Sequence, residues 1–216
     1  LLNMPKLSVV VTVDSDIAYQ SLNGQNLISA ALIAANEFCL ETSLPNKLYV
    51  AASDIEKVRK ATENLSFDFV EIECNPNSPA DLAAAIKGLD FEIIAIHDAQ
   101  RPLTRSQQFH RTLEGLFGCD AVRPTMAFTE TLKAVNESSE LTFTIDRNSM
   151  RRISSPEIIR RSAIDFDGAA STWSLPLLPE TRYSEVEADP EALRINSADE
   201  GTLMEALLHW QQKIVN

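Results

Sequence analysis

Apolar runs and segments of helical periodicity alternate through the first half of the chain. The apolar runs, such as LSVVVTV at 7–13, predict strands, and the periodic segments predict helices. Three helices open with the Ser/Thr-x-x-Glu/Gln spacing of a capping box, at 53–56, 104–107 and 197–200. The predicted strands are 7–13, 47–52, 67–73 and 91–97, with another starting at 120–124; the predicted helices are 27–40, 53–65, 81–89, 104–117 and 197–213.

This alternation predicts an α/β fold with a mostly parallel sheet and helices on both of its faces. The chain has no linker, internal repeat or low-complexity tract, so we predict a single domain over residues 1–216. Sheets of this type bind ligands at the carboxyl ends of their strands, near the point where the strand order reverses. Residues 13–16 and 97–102, which follow two of the predicted strands, are therefore the candidate site.

The pattern changes after Pro124, where the strand–helix alternation stops. The LTFTI run at 141–145 alternates apolar residues with threonine, which predicts a pair of strands around a turn at 136–140. We predict that residues 129–150 form a hairpin outside the main sheet. The hairpin either covers a core of its own or is an arm that grips a second subunit.

Composition excludes several classes of function. The chain is 44% hydrophobic and 23% charged, which is typical of one folded core rather than of disorder. No apolar run approaches the roughly 20 residues that span a bilayer, and residues 1–6 lack the pattern of a signal peptide. Cys39, Cys74 and Cys119 are scattered, which favours reduced thiols, and the histidines have no zinc-site spacing. We expect a soluble, cytoplasmic protein without a membrane partner.

The charge distribution singles out the middle of the chain. A net charge of −12 argues against a nucleic-acid partner, because phosphate backbones attract basic proteins. Residues 97–161 nevertheless contain ten Lys/Arg and eight Asp/Glu, whereas the remainder contains nine and twenty-three. Only the middle region is suited to receiving an anion, although ordinary variation in surface charge produces the same imbalance.

The strongest local signal is the sequence IHDAQRP at 96–102. An aspartate at the carboxyl end of a strand, here Asp98, can hold a divalent cation, which neutralises phosphate charge during nucleotidyl transfer. Arg101, three residues later, could contact a phosphate or fix the loop. The alternative for Asp98 is a simple turn former.

This segment resembles the His-Asp-Ala-Ala-Arg-Pro segment of the methylerythritol-phosphate cytidylyltransferases. ETLKAV at 130–135 resembles the family's Asp-Thr-Leu-Lys-x-Val, and TIDR at 144–147 resembles its Thr-Val-Asp-Arg. The resemblance continues over nearly the whole chain, through SLNGQNL at 21–27, SPE at 155–157, EADP at 187–190, LRI at 193–195 and the acidic pair at 199–200.

The resemblance implies a three-layer αβα, Rossmann-like nucleotidyltransferase fold with a protruding β-arm at about 129–150. The implied reaction converts CTP and methylerythritol 4-phosphate to the CDP-linked alcohol and pyrophosphate, with Mg²⁺ as the cofactor. The implied assembly is a homodimer whose arms complete each other's sites. The implied site residues are Arg194 and Arg101 for catalysis, Asp98 and Ser15 for the nucleotide, Asp98 also for the metal, and Thr131, Lys133 and Arg147 for the acceptor.

The sequence departs from the family pattern on the nucleotide side. The family has a Gly-rich loop with an Arg, then a Pro-Lys-Gln segment, whereas TVDSDIAY at 12–19 has neither a glycine nor a cation. Asp14 and Asp16 place negative charge where phosphates would lie. Residues 77–84 lack the family's paired glycines and arginine, Ala170-Ser171 replaces its acceptor-binding Thr-Asp, and Arg194 replaces its second catalytic lysine.

Three hypotheses follow from these observations. The first is a cytidylyltransferase of this class with impaired activity or an altered acceptor. The second is a pseudoenzyme that binds a partner or a small phosphate. The third is a nucleotide-sugar transferase that uses Asp14-Ser15-Asp16 as an acidic metal-binding pair; in the alternative, these aspartates only cap a turn. The basic pairs at 151–152 and 160–161 could supply the cations that the loop lacks.

Overall fold

The computed structural model describes residues 4–169 and 174–215, with side chains through residue 210. Within those residues the helices are α1 (Leu27–Glu41), α2 (Ile55–Thr62), α3 (Pro79–Ile86), α4 (Ser106–Gly115) and α5 (Ala198–Val215). The strands are β1 (Leu7–Thr12), β2 (Ser21–Leu22), β3 (Gln25–Asn26), β4 (Asn46–Ala52), β5 (Val70–Glu73), β6 (Ile93–Asp98), β7 (Ala121–Ala127), β8 (Leu132–Val135), β9 (Leu141–Ile145), β10 (Arg151–Ile153), β11 (Glu157–Arg160) and β12 (Tyr183–Glu187).

Eight strands form one mixed sheet in the order β10-β7-β11-β6-β1-β4-β5, and β12 pairs with β7. β1 is parallel to both β4 and β6, and β4 is parallel to β5, which confirms the predicted parallel half. β11 is antiparallel to β6 and β7, so the second half of the chain extends the sheet differently. The chain runs outward from β1 to β4 and β5 and returns to the other side of β1 as β6. The strand order therefore reverses between β1 and β6.

Helices cover both faces of the sheet, as the alternation predicted. On one face Val9 and Val11 of β1 pack in a core with Phe38 of α1 and Phe109 of α4, all fully buried. On the other face Val10 belongs to a second buried core, with residues of α3. The two-residue period of a strand sends neighbouring valines to opposite faces, and burial of both faces makes the run continuously apolar. The architecture is thus three layers, αβα.

The ends of two helices differ from the capping-box predictions. α2 begins after Asp54, whose carboxylate accepts a hydrogen bond from the backbone N–H of Lys57 at 3.0 Å. Ser53 instead donates its hydroxyl to the carbonyl of the residue after β5, so the prediction of Ser53 as the cap is wrong. α4 begins after Arg105 without a side-chain cap, so Thr104 does not cap it either. The N-terminus of α2 is set by the neighbouring carboxylate of Asp54, and that of α4 by the geometry of its loop. The spacing of the capping-box motif alone does not determine either one.

The remaining elements follow the predictions more closely. α5 begins as predicted, because Ser197 Oγ accepts the backbone N–H of Glu200 at 3.2 Å. The strand predicted at 67–73 is only β5, since β4 pairs with Val70–Glu73 and no further. No helix among the described residues is long and apolar enough to cross a membrane.

The hairpin predicted at 129–150 is present, and we refer to residues 129–150 as the arm. β8 and β9 form an antiparallel two-stranded sheet of their own. Val135, Leu141 and Phe143 on this arm are 62%, 72% and 68% exposed. The arm therefore covers no core among the residues that the structure describes, and the first of its two interpretations is wrong.

Candidate functional site

The candidate site lies at the reversal point of the sheet, where β1 and β6 end side by side. Asp98, the last residue of β6, is in register with Thr12, the last residue of β1. Asp14 follows β1 by two residues, so the loops after both strands meet at one edge. We call this site the crevice and define it by Asp14, Ser15, Asp98, Gln100 and Arg194. Its position matches the one predicted from residues 13–16 and 97–102.

Asp98 is fully buried, and both of its carboxylate oxygens have partners. Oδ1 accepts the backbone N–H of Gln100 at 2.9 Å, and Oδ2 accepts Arg194 Nε–H at 2.7 Å. The preceding His97 is also fully buried, contacts the ring of Phe109, and lies 2.8 Å from the Ser155 hydroxyl through Nδ1. Burial lowers the pKa of His97 to about 3, so this histidine is neutral. His97 is part of the buried interior, and the Ser155 hydroxyl that it contacts also accepts the backbone N–H of Asp98 at 3.2 Å.

Arg194 joins three segments of the chain at the crevice. Besides Asp98, its guanidinium lies 3.5 Å from Asp14 Oδ2, donates to Gln100 Oε1 at 3.1 Å, and donates to the side chain of Asn196. Its side chain is 30% exposed, whereas that of Asp14 is 10% exposed. Because 96 residues separate Arg194 from Asp98, only the fold brings them together. The sequence named Asp98 from its place at a strand end and Arg194 from the family resemblance, but it did not reveal their contact.

Gln100 connects Ser15 to the same network. Ser15 Oγ donates to Gln100 Oε1 at 2.8 Å, and Gln100 Nε2 donates to the carbonyl of Ile195 at 2.6 Å. Gln100 is 1% exposed and occupies the position where the family pattern has alanine. The structure thus brings together Ser15, Asp98 and Arg194 among the predicted site residues. Gln100 was missed, and only its departure from the pattern could have identified it.

The surroundings of Asp14 in the crevice change the pKa of its carboxyl group. Burial and the nearby charge of Asp98 raise its pKa to about 6, while Arg194 opposes the shift. The fold therefore favours the neutral form of Asp14 relative to the unfolded chain. Between the unfolded pKa near 3.8 and the folded pKa near 6, stability falls as the pH rises, because the folded state binds the extra proton.

Replacing Asp14 by Asn is expected to stabilise the fold by about 2 kcal/mol at pH 7.5, and the gain is expected to vanish below pH 4. Asparagine keeps the shape of the side chain and removes the charge that the crevice disfavours. Urea unfolding of wild type and variant at pH 4, 5, 6 and 7.5 measures this difference. The exposed Asp16→Asn is the matched control and should show no such pH-dependent gain. A constant difference between Asp14→Asn and wild type across this range would contradict the assignment.

Arg101 holds the loops around the crevice in place. It donates to the carbonyls of Ala192 and Ile153 at 2.8 and 3.0 Å, and its Nε lies 3.7 Å from Asp98 Oδ2. Burial lowers the pKa of Arg101 to about 10, although Asp98 opposes that shift. Because two of its contacts are to backbone carbonyls, Arg101 fixes the end of β10 and the segment before α5.

Mg²⁺ does not fit Asp98 in this arrangement. Both oxygens of the buried carboxylate are engaged, and an Arg194 nitrogen lies where a cation would have to approach Oδ2. Among the described residues, no group of three or more His, Cys, Asp or Glu side chains is placed to hold a metal ion. The metal role of Asp98 stays a prediction that needs a carboxylate oxygen free of Arg194, because Mg²⁺ demands oxygen ligands in octahedral geometry.

The loop after β1 gives a triphosphate little to bind. Residues Asp16–Tyr19 form a short 3₁₀ helix in which Ser15 Oγ accepts the backbone N–H of Ile17. Asp16 is exposed and pairs with Lys57 of α2 at 3.0 Å. Sequence reasoning missed this lysine, which is 41 residues away and has no motif signal. The pairing offsets the negative charge of Asp16 but leaves this lysine already engaged.

The predicted acceptor residues all lie on the arm. Thr131, Lys133 and Arg147 are exposed, and Arg147 donates to the carbonyl of Thr129. In the described part of the chain, no hydrogen bond or ion pair connects these three side chains with Asp98 or Arg194. The structure therefore places them together on the arm but apart from the crevice. Ala170-Ser171, the replaced acceptor segment, lies outside the described residues.

A cavity of about 630 Å³ opens beside the crevice. Arg101, Arg151, Arg152 and Arg194 line it, together with apolar residues of β10 and α5. The second basic pair, at 160–161, is elsewhere and donates its guanidinium hydrogens to backbone carbonyls. Of the two basic pairs in the sequence, only 151–152 adds positive charge near the candidate site.

Comparison with known proteins assigns this geometry to a class. The sequence profile of the 2-C-methyl-D-erythritol 4-phosphate cytidylyltransferase family matches residues 11–167. The chain is 30% identical over 127 residues to the enzyme of that name from Rhodococcus jostii and 27% identical over 126 residues to that from Saccharopolyspora erythraea. These matches cover 55% of this chain and 56% of each relative, so the alignment spans little more than half of the relatives' length.

Solved structures show the same architecture. The crystal structure of 4-diphosphocytidyl-2C-methyl-D-erythritol synthase from Anaerococcus prevotii superposes with a TM-score of 0.76 at 14% identity, covering 95% of this chain and 99% of that one. The cytidylyltransferase from Thermus thermophilus gives a TM-score of 0.70 at 17% identity, covering 93% and 98%. The three-layer αβα architecture, with its crevice between β1 and β6, is thus an α/β nucleotidyltransferase fold. Within that class, the chain belongs to the 2-C-methyl-D-erythritol 4-phosphate cytidylyltransferase family.

Proposed function

We propose that this chain transfers the cytidylyl group of CTP to a polyol phosphate of the methylerythritol 4-phosphate type and releases pyrophosphate. The observation that carries the proposal is the contact between Asp98 and Arg194 at the reversal point of the sheet, in a chain that belongs to this family. A buried carboxylate that orients a guanidinium at the mouth of a crevice is suited to stabilising negative charge on phosphate.

In this proposal the reaction forms one bond and breaks another. An oxygen of the acceptor phosphate attacks the α-phosphorus of CTP, and the bond to the β-phosphate oxygen breaks as pyrophosphate leaves. Arg194 offsets the charge that develops on the transferred group, and Asp98 holds that guanidinium in place. Arg101 keeps the surrounding loops fixed, and Ser15 lies at the nucleotide side of the same network.

We propose that CTP binds weakly. The 12–19 segment contains no glycine, so its backbone amides are not arranged for the close approach to phosphates that such loops allow. Lys57 is paired with Asp16, and Arg194 is shared between Asp98 and Asp14. A triphosphate must therefore compete with protein carboxylates for both cations, which reduces the net gain from binding them.

The assembly that we propose is a homodimer formed through the arm. The exposed apolar residues of the arm, with Arg147 and Lys133 beside them, are suited to reaching a neighbouring crevice. Such an exchange is isologous, because each arm meets the same surface on the partner. Light scattering at micromolar concentration is expected to give twice the mass of one chain, and a monomeric mass would remove this part of the proposal.

We also propose a cytoplasmic location, since Cys39, Cys74 and Cys119 are free thiols.

Pyrophosphate release tests the proposed reaction. With CTP, Mg²⁺ and methylerythritol 4-phosphate, the wild-type chain is expected to release pyrophosphate above a blank without acceptor. Replacing Arg147 by Met is expected to raise the KM for the acceptor at least about tenfold with little change in the KM for CTP, because a charge-assisted phosphate contact is lost.

Arg147→Lys is the matched variant. It should raise the KM for the acceptor less than Arg147→Met does, since lysine keeps the charge but not the planar set of donors. An unchanged KM for the acceptor in Arg147→Met would contradict the proposal that the arm binds the acceptor. No release from wild type with this acceptor would end the proposal for that substrate.

A second candidate function is a non-catalytic binding protein. It is favoured by the engagement of Arg194, which already contacts two carboxylates and a glutamine side chain. This candidate predicts no pyrophosphate release with any acceptor, while the homodimer and the fold persist. Measurable turnover that Asp98→Asn abolishes would exclude it.

A further inference from the structure

Two carboxylates from neighbouring strand ends face a single guanidinium in the crevice. Arg194 Nε lies 2.7 Å from Asp98 Oδ2, and an Nη of the same group lies 3.5 Å from Asp14 Oδ2. The two aspartates are close enough for the charge of Asp98 to act on Asp14. Their side chains are 0% and 10% exposed, so solvent screens this repulsion poorly.

When both carboxylates of such a buried pair are ionised, a cation between them is stabilising. Divalent cations and guanidinium groups both meet this need, because each can contact two carboxylates at once. Two other cations of this region, Arg101 and Lys57, are committed elsewhere. Arg101 uses its Nη atoms on backbone carbonyls and reaches Asp98 only at 3.7 Å, and Lys57 pairs with Asp16.

We infer that the Arg194 guanidinium occupies the place between Asp14 and Asp98 that a divalent cation would otherwise take, so that the nucleotide-free chain excludes divalent ions from the crevice. The chain supplies its own counter-cation, whose Nη atoms also donate to the side chains of Gln100 and Asn196. The inference concerns the crevice of the proposed function but depends on no nucleotide and no turnover.

Several arrangements of the network support an ordered guanidinium rather than a mobile one. Gln100 is itself held by Ser15 and by the carbonyl of Ile195, so its oxygen is fixed toward Arg194. Asp98 is fixed by the backbone N–H of Gln100. Three nitrogens of the Arg194 guanidinium each donate to a different side chain. Holding the group in this position costs little conformational entropy, because the guanidinium is planar and its donors are preorganised.

Titration with Mn²⁺, followed by the electron paramagnetic resonance signal of the free ion, tests the inference without any nucleotide. Wild type is expected to show no binding tighter than about 1 mM, which corresponds to roughly −4 kcal/mol. Arg194→Met and Arg194→Gln, which remove the charge, are expected to bind Mn²⁺ at least about tenfold more tightly than wild type. Adding Asp14→Asn to either variant should remove that gain, and Arg194→Lys, which keeps a cation, should behave as wild type.

The contrary results are distinct. Equal Mn²⁺ binding by wild type and the neutral variants would overturn the inference, as would tight binding by wild type that Asp14→Asn abolishes. If neither neutral variant folds alone, Mn²⁺ must restore the circular dichroism spectrum of at least one of them, and failure to do so also overturns it. Absence of CTP turnover, by contrast, would end the proposed function and leave this inference standing.

Discussion

Replacing Arg123 by Met is expected to lower the free energy of unfolding by about 3–5 kcal/mol. Arg123 of β7 donates to Glu157 of β11 at 3.1 Å, and the two side chains are 7% and 0% exposed. Tyr183 and Ser174 also donate to the Glu157 carboxylate. Without its guanidinium, Glu157 would keep a buried charge without the cation that offsets it, which is why the expected loss is large.

Urea unfolding of matched variants measures this effect. Arg59→Met is the control, because Arg59 pairs with Glu71 and Glu56 on the surface, where such pairs contribute about 1 kcal/mol or less. The double variant Arg123→Met/Glu157→Leu should recover part of the loss, since no buried charge is left, although Ser174 and Tyr183 lose their acceptor. A loss below about 1 kcal/mol in Arg123→Met would show that the pair does not hold β7, β11 and β12 together.

Replacing Asp98 by Asn is expected to lower kcat for cytidylyl transfer at least about 100-fold. Asparagine keeps the side-chain shape and can still accept the backbone N–H of Gln100, but it removes the charge that orients Arg194. Arg194 would then be drawn toward Asp14, away from the transferred phosphate in the proposed reaction. A misplaced cation loses most of its preorganised stabilisation of the transition state.

Asp16→Asn is the matched control for this prediction. Asp16 is exposed and lies in the segment that follows β1, but it contacts Lys57 rather than the guanidinium of Arg194. Its replacement frees Lys57 and removes a negative charge, so KM for CTP should fall or stay unchanged while kcat changes less than about threefold. Retention of more than a tenth of wild-type kcat by Asp98→Asn would contradict its role in orienting Arg194.

The elements of the first half were predictable because their signals are local. The LSVVVTV and FEIIAIH runs are continuously apolar, which is typical of strands buried on both faces, and β1 and β6 lie there. The position of the crevice followed from strand–helix alternation, because parallel sheets bind ligands where their order reverses. The arm was found from the LTFTI alternation, and its exposure settled that it covers no core of its own.

Contacts between distant residues were not predictable from one sequence. The pairs Lys57–Asp16 and Arg123–Glu157 join residues 41 and 34 positions apart and carry no motif. Asp14 was expected to repel phosphate, but its contact with Arg194 gives it a partner within the chain. Even the N-cap positions, Asp54 and Arg105, lie one residue after those that the capping-box spacing predicted.

Isothermal titration of the wild-type chain with CTP in the presence of Mg²⁺, with Asp98→Ala alongside, tests most directly whether the crevice between β1 and β6 is a nucleotide site. We predict saturable heat with a Kd of about 0.1–1 mM for wild type, or roughly −4 to −5.5 kcal/mol, and none for Asp98→Ala. Equal heats from both proteins, or no heat from wild type while it remains folded, would contradict a cytidine nucleotide site at Asp98 and Arg194.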